Sequence, residues 1–243
     1  MLFGVVPLEE EFITKSHFGT VGLGFLSEDQ DESFLHQLVN LNYIDYKVFY
    51  IKFYDDKKGH ITFGNYPFNK PPNNQFKYRT CNLLLTKNQG EPNQRWECPL
   101  KAIFFEDSQG NFVFELINDR ISFNLSSTLL LVPSSFFDKF INFYFKQLLE
   151  TNQCHLETLH YFVTVICNDE INIDNLGEIN YIIGKWTVKF KPKELFRFND
   201  FYGQQEFVIK EHITLNTFIF GTPFFHSRNV IFDKENKQIG IYS

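Results

Sequence analysis

The chain has 243 residues, 43% of them apolar, and a net charge of −6. That length suits one large domain or a domain with an appendage, and the apolar share allows a sizeable core. The acidic balance excludes a general nucleic-acid binder, which needs clustered Lys and Arg against phosphate. No run approaches the roughly 20 apolar residues of a membrane helix, so no membrane insertion is expected.

Met1 to Pro7 is followed at once by Glu9, Glu10 and Glu11. The basic start, long apolar run and small-residue cleavage site of a signal peptide are missing there, and the compartment stays open. Glu32 to Asn40 carries Phe34, Leu35, Leu38 and Val39 at helical spacing, with Asp31 or Ser33 as the cap. Val48 to Phe53 and Gly59 to Gly64 then read as strands. Pro67 to Arg95 is rich in Asn, Gln, Pro and Lys and reads as a long loop or linker, with Leu83–Leu85 as a short strand inside it.

Leu100 to Phe105, Asn111 to Ile117 and Arg120 to Phe123 are further strands, the first two joined by a polar hairpin turn. Ser134 to Leu149 carries Phe136, Phe137, Phe140, Ile141, Tyr144, Phe145 and Leu148 behind Pro133, which predicts a helix packed on a sheet. Tyr161 to Cys167, Glu178 to Ile183, Trp186 to Phe190 and Phe207 to Ile209 are the next strands. The alternating lysines of Lys185 to Lys193 mark a wet face on the Trp186 strand. Asp233 to Lys237 is a turn between Val230–Phe232 and Ile239–Ile241. The whole reads as mostly β with two modest helices.

Phe is over-used at 31, while alanine occurs once, at Ala102. The joint weight of Phe, Asn, Ile and Lys reads as nucleotide-composition bias. Cys81, Cys98, Cys154 and Cys167 fit no zinc spacing; Cys154-His155 with His160 comes nearest, and loop or core residues are the plainer reading. One or two disulfides are compatible with an oxidising compartment. His17, His36, His60, His212 and His226 read as surface or satisfied core. Gly22-Leu23-Gly24 lacks the third glycine of a dinucleotide loop. No cofactor and no metal are expected.

Three segments in order carry a family resemblance. Phe218-Ile219-Phe220-Gly221-Thr222-Pro223, then Asn229 to Asp233 and Gln238 to Ile241, resembles the end of a pepsin-like aspartic peptidase, with Thr222 where that family usually has Asp. Phe18 to Phe25 resembles the close of the family's first lobe. Ser33 to Leu38 resembles the helix after it, Val48 to Phe53 the inter-lobe strand, and Gly59 to Gly64 the next hairpin. Ile121 to Ser135 lies where the family has its second Asp-Thr/Ser-Gly-Thr-Ser motif, two apolar residues and a Pro-Ser helix start. The resemblance implies a pepsin-like second lobe with short helices and an N-terminal lobe largely missing. Residues 1–65 would be a first-lobe remnant with a helix and inter-lobe strands, 66–95 the long loop, and 96–243 the second lobe. It also makes Gly22 and Gly221 equivalent places where backbone passes beneath a catalytic loop and a Cβ would block the approach.

That family splits amides with a water held between two carboxylates that share a proton. The resemblance puts Asn124 at the second aspartate, Leu125 at the Thr or Ser that locks the loops, and Ser126 at the loop glycine, followed by Ser127 and Thr128. A carboxamide accepts no proton from water at neutral pH. The first motif would lie upstream of Phe18, and Asp119, the nearest acid in sequence, is a poor substitute. Ser126-Ser127-Thr128 lacks a His with a nearby acid for nucleophilic chemistry. The expectation is a catalytically inactive aspartic-peptidase-like protein, a structural or protein-binding subunit of a larger assembly. The other readings are an aspartic endopeptidase completed by further chain and a half-cleft that binds peptides.

Overall fold

The computed structural model describes Leu23 and residues 33–55, 58–66, 79–84, 87–88, 91–92, 95–106, 111–159, 161–200, 203–213 and 217–242. Helix α1 is Phe34–Asn40, and Ser33 caps it by accepting from the His36 amide at 3.4 Å. Strands β1 (Val48–Asp55), β2 (Lys58–Phe63), β3 (Arg79–Asn82), β4 (Lys87–Asn88) and β5 (Glu91–Pro92) come next. Then come β6 (Glu97–Glu106), β7 (Phe112–Phe123) and β8 (Leu130–Val132). Helix α2 (Ser134–Lys139) runs through a π-turn, Phe140–Tyr144, into α3 (Lys146–Glu150).

The second half holds β9 (Cys154–Leu159), β10 (Phe162–Cys167), a 3-10 turn at Ile173–Asn175, β11 (Ile179–Ile183) and β12 (Trp186–Phe190). After α4 (Pro192–Leu195) come β13 (Phe196–Asn199), β14 (Gln204–Phe207), β15 (Ile209–His212) and β16 (Phe218–Phe220). Helix α5 (Thr222–His226) and the hairpin β17 (Asn229–Asp233) and β18 (Gln238–Tyr242) end the chain. The protein is mostly β, as its sequence implies.

Two sheets carry the architecture. One has the order β2-β1-β17-β18-β3, pairing the 50s of the chain with the 230s: Tyr50 faces Ile231. The other runs β12-β11-β6-β7-β16-β8-β15-β10-β14-β13, with β9 paired to β10. Cys81 of β3 is bridged to Cys98 of β6, which ties the sheets together. Cys154 and Cys167 face each other across β9 and β10 and are also bridged. Closing loops of 17 and 13 residues removes unfolded-state freedom, worth about 3 kcal/mol each.

The surplus phenylalanine fills the space between these layers. Phe49 stacks on Phe232 at 4.6 Å, with the Trp96 edge 5.0 Å from Phe232. Phe220 stacks on Phe224 at 4.5 Å, and Phe123 meets Phe224 edge-on at 5.3 Å. Phe140 lies between Phe105 and Phe207 at 5.2 and 5.8 Å. The π-turn explains the helix here: the Phe145 amide donates to the Phe140 carbonyl at 2.9 Å, one residue beyond α spacing. The extra residue lets adjacent Tyr144 and Phe145 both be fully buried. The expected single helix over Ser134 to Leu149 is thus three helical pieces.

Other elements differ from expectation for local reasons. Asn111 to Ile117 and Arg120 to Phe123 join in one strand, β7, because a bulge opposite Leu100–Ala102, with Asn118 at φ 49°, absorbs the irregular residues. Phe207 to Ile209 is instead a junction. The Val208 amide and carbonyl leave the ladder to bond Leu195 and Leu130, which separates β14 from β15. Arg79–Asn82, just before Leu83, forms an edge strand against β18. The hairpin over Asp233 to Lys237 stands as read, braced by Tyr66, whose hydroxyl donates to Asp233 at 2.8 Å.

The Val208 junction brings Glu206 and Lys210 together although both are under 5% exposed. Lys210 donates to Glu206 Oε1, while Arg197 and Asn199 reach Oε2 at 3.1 and 3.0 Å. Burial alone would raise the Glu206 carboxyl. The hydrogen bonds and charges of Lys210 and Arg197 outweigh it and hold the group below its ordinary 4.5.

The strand order at the centre of the large sheet is the feature that positions the site. β16 lies between β7 and β8, parallel to the first and antiparallel to the second. The chain leaving β16 at Gly221 therefore passes under the 124–129 connection from β7 to β8. A Cβ on Gly221 would overlap the carbonyl oxygens of Ser127 and Leu129 and lie 2.9 Å from the Ser127 carbonyl carbon. Gly221 has φ −93°, so its need for glycine is space, not backbone angle. Gly221 thus lies close beneath the loop; Gly22 lies outside the described residues.

Two measurements check these points. Gly221→Ala should lower the unfolding free energy by about 3 kcal/mol or more in urea titrations, since backbone on both sides cannot give way. Glu206→Gln should cost roughly 3–5 kcal/mol by leaving the buried Lys210 ammonium uncompensated. In the parent protein the Glu206 contribution is complete above the unfolded-state value and is lost as pH falls through the lower folded-state value. The Gln variant should lack this component of the acid dependence.

Candidate functional site

The connection from β7 to β8 is a short loop held at both ends and from below. The Asn124 amide donates to the Phe220 carbonyl at 2.9 Å, extending the β7–β16 pairing by one residue. The Ser127 amide closes a turn onto the Asn124 carbonyl at 3.2 Å. The Thr222 amide, at the start of α5, donates to the Ser127 carbonyl at 2.8 Å. Ser127 Oγ donates to the Leu129 carbonyl at 3.0 Å and accepts from the Leu129 amide at 3.3 Å. Leu125 packs against the core, while Ser126 and Thr128 are exposed.

The Asn124 side chain is fixed by its own loop. Its Oδ1 accepts from the Ser126 amide at 3.0 Å and from Ser126 Oγ at 2.7 Å. Of the two carboxamide heteroatoms only the oxygen can accept from an N–H, so the orientation is determined: Oδ1 points into the turn and Nδ2 away from it. Nδ2 makes no hydrogen bond to any described residue. A water beside it would receive a hydrogen bond from the amide. A general base must do the opposite and accept the water's proton.

The neighbouring positions add no acid–base group. Ser126 has no left-handed backbone angle, so the loop takes a side chain there without strain. Its hydroxyl and that of Ser127 are engaged within the loop. Asp119 is exposed, accepts from the Arg120 amide at 2.8 Å, and sits five strand residues before Asn124, roughly 16 Å away along β7. That is too far for two groups to share a proton. Thr222, where the resemblance expects Asp, enters the site through its backbone.

The remaining candidates lie elsewhere. His36 Nδ1 meets Lys47 Nζ at 2.9 Å, His60 bridges the Tyr54 and Tyr50 hydroxyls at 2.7 and 3.1 Å, and His212 and His226 pack on Phe162 and Phe53. Cys154 is in a disulfide and is not a thiolate ligand. Among the described residues no three His, Cys, Asp or Glu side chains converge on a metal site, and no helix is long and apolar enough to cross a membrane. His17, Gly22 and His160 lie outside the described residues. The resemblance missed the bonds within Asn124–Leu129; the signal was the run Asn-x-Ser-Ser, whose short polar side chains favour local turns.

The solved structures that share this architecture include an aspartic proteinase and a soybean globulin. An aspartic proteinase from Irpex lacteus is 14% identical with a TM-score of 0.62, covering 87% of this chain and 60% of its own. Basic 7S globulin from soybean is 13% identical with a TM-score of 0.62, covering 87% of this chain and 55% of its own. At such identities the likeness is one of fold, and the chain spans little more than half of either. No curated protein matches the sequence. The family model described as eukaryotic aspartyl protease matches residues 3–243. With the β7–β16–β8 crossing and the loop above Gly221, this match spans nearly the whole sequence: the chain belongs to the eukaryotic aspartyl protease family.

Proposed function

We propose that this chain is a catalytically inactive aspartic-peptidase-like protein that serves as a structural or protein-binding subunit of a larger assembly. The observation that carries the reading is Asn124. It occupies the position at which the family places a carboxylate, inside a loop whose frame is kept, and presents a donor where hydrolysis needs a proton acceptor. Leu125 supplies no hydroxyl and Ser126 no glycine at the two positions after it. Domain organisation follows the same reading, with a first-lobe remnant over 1–65, a long loop over 66–95 and a second lobe over 96–243.

A protein partner is favoured by the surface. Phe112, Phe114 and Leu116 stand in a row on one face of β7, all at least 49% exposed, with Phe104 of β6 beside them. β2 and β3 are edges of the five-stranded sheet. Apolar rows and open edges of this kind favour another protein surface. An extended peptide is an alternative occupant of the half-cleft. Basic 7S globulin has this fold under a name that does not describe a peptidase.

The second reading is an aspartic endopeptidase completed by a lobe from elsewhere, favoured by the kept loop frame and by the proteinase from Irpex lacteus. One assay separates the two. The chain, incubated with unfolded protein from about pH 3 to about pH 7, should give no cleavage sensitive to a transition-state-mimicking aspartic-peptidase inhibitor. Inhibitor-sensitive cleavage would sink the inactive reading. Asn124→Asp alone should remain silent, because one carboxylate is half of a dyad and Leu125 and Ser126 still depart from the motif. Elution as a monomer, together with pull-downs that capture nothing, would count against the subunit role.

A further inference from the structure

We infer that Asn124 is an acceptor for an N-linked glycan. The chain has 22 asparagines, and Asn124 alone is followed two residues later by Ser or Thr without an intervening proline, in Asn124-Leu125-Ser126. That is the acceptor pattern for N-glycosylation and belongs on a surface loop. Here it is on one: Ser126 is exposed, Asn124 is partly so, and Nδ2 is the outward atom of the carboxamide. The pattern requires a hydroxyl within reach of the amide, and Ser126 Oγ lies 2.7 Å from Asn124 Oδ1.

Two independent observations make the site usable. Among the described residues no cysteine is free: Cys81 pairs with Cys98 and Cys154 with Cys167. Such bridges form in oxidising compartments, where glycan transfer also occurs. Chain order gives access. The groups that pin the loop, Phe220 and Thr222, lie far downstream of Asn124. During synthesis the acceptor is exposed as extended chain before its fasteners exist.

The transfer balances without any group from this protein besides the amide. Asn124 Nδ2 attacks C1 of the first sugar of a lipid-pyrophosphate-linked oligosaccharide and gives up one proton to water. The C1–O bond to pyrophosphate breaks, and the lipid pyrophosphate leaves with the bonding pair. Oδ1 is untouched, so both Ser126 bonds survive and the finished loop holds the sugar facing outward. On the reading of this loop as a half-site, the glycan then occupies the place a substrate or a facing lobe would need. That consequence rests on the proposed function; the acceptor site does not.

The full chain, directed into the secretory pathway of a eukaryotic host by a cleavable leader, supplies the test. Its intact mass should exceed the sequence mass by a glycan, and peptide-N-glycosidase F in heavy-oxygen water should remove the excess and label position 124. Asn124→Gln and Ser126→Ala should each abolish the shift, and Ser126→Thr should retain it. If a variant is not secreted, the label on the parent chain decides alone. A secreted, disulfide-bonded chain of unmodified mass overturns the proposal. Inhibitor-sensitive cleavage by a glycan-bearing preparation would overturn the inactive reading and leave the acceptor site standing; unmodified mass without cleavage does the reverse.

Discussion

Backbone cannot pass through backbone, and at Gly221 two segments come as near as the chain permits. Strand β16 must lie between β7 and β8, so its exit runs directly under the loop joining them. A hydrogen in place of a methyl group at one residue makes the crossing available. The crossing in turn sets the Thr222–Ser127 and Asn124–Phe220 bonds, the fixed height of the loop, and the outward direction of Asn124 Nδ2. The site is thus a product of packing first and of side-chain chemistry second. A family can change the residues on the loop while the crossing beneath preserves the platform.

The rest of the molecule holds that crossing steady with two kinds of material. Aromatic rings fill the volume around it: Phe123, Phe220 and Phe224 touch one another directly beneath the loop. Whatever biased the composition toward Phe, rings at these places interlock edge to face, a geometry more specific than aliphatic contact. Charge is used sparingly and in company. Arg228 lies 4.3 Å from the Phe190 ring centre and pairs with Glu194 at 3.4 Å. The Glu206 carboxylate is shared by three donors. Both arrangements satisfy the rule that a buried charge must keep partners.

Local pattern carried much of the fold. Turn chemistry between apolar pairs is enough for the 230–241 hairpin, and alternation is enough for β12, whose buried residues recur every second position. The crossing at Gly221 was readable only through family resemblance, because no local pattern tells which distant strand will lie over a glycine. Three features stayed hidden for physical reasons. The π-turn arises from where Tyr144 and Phe145 must both fit, a tertiary demand. Glu206 and Lys210 are four apart, which suggests helix neighbours, and meet only because the strand breaks at Val208. The β9 partner of β10 is rich in polar residues and paired chiefly through backbone, so its side chains announce little. At the site the identity of Asn124 was plain, but its fixed orientation came from the Ser126 bonds.

The position of β16 in its sheet has a kinetic side as well. Its neighbours are made about ninety residues before it, and β1 waits still longer for β17. Contacts so distant in sequence demand the closure of large loops before they return any stabilisation, which slows folding. Until the C-terminal segment arrives, β7 and β8 face one another across an empty lane, each with an unpaired edge open to other chains. The last few dozen residues therefore act as a key for the whole molecule: a chain halted before Phe218 would hold most of its apolar residues yet lack the strand that joins its two halves.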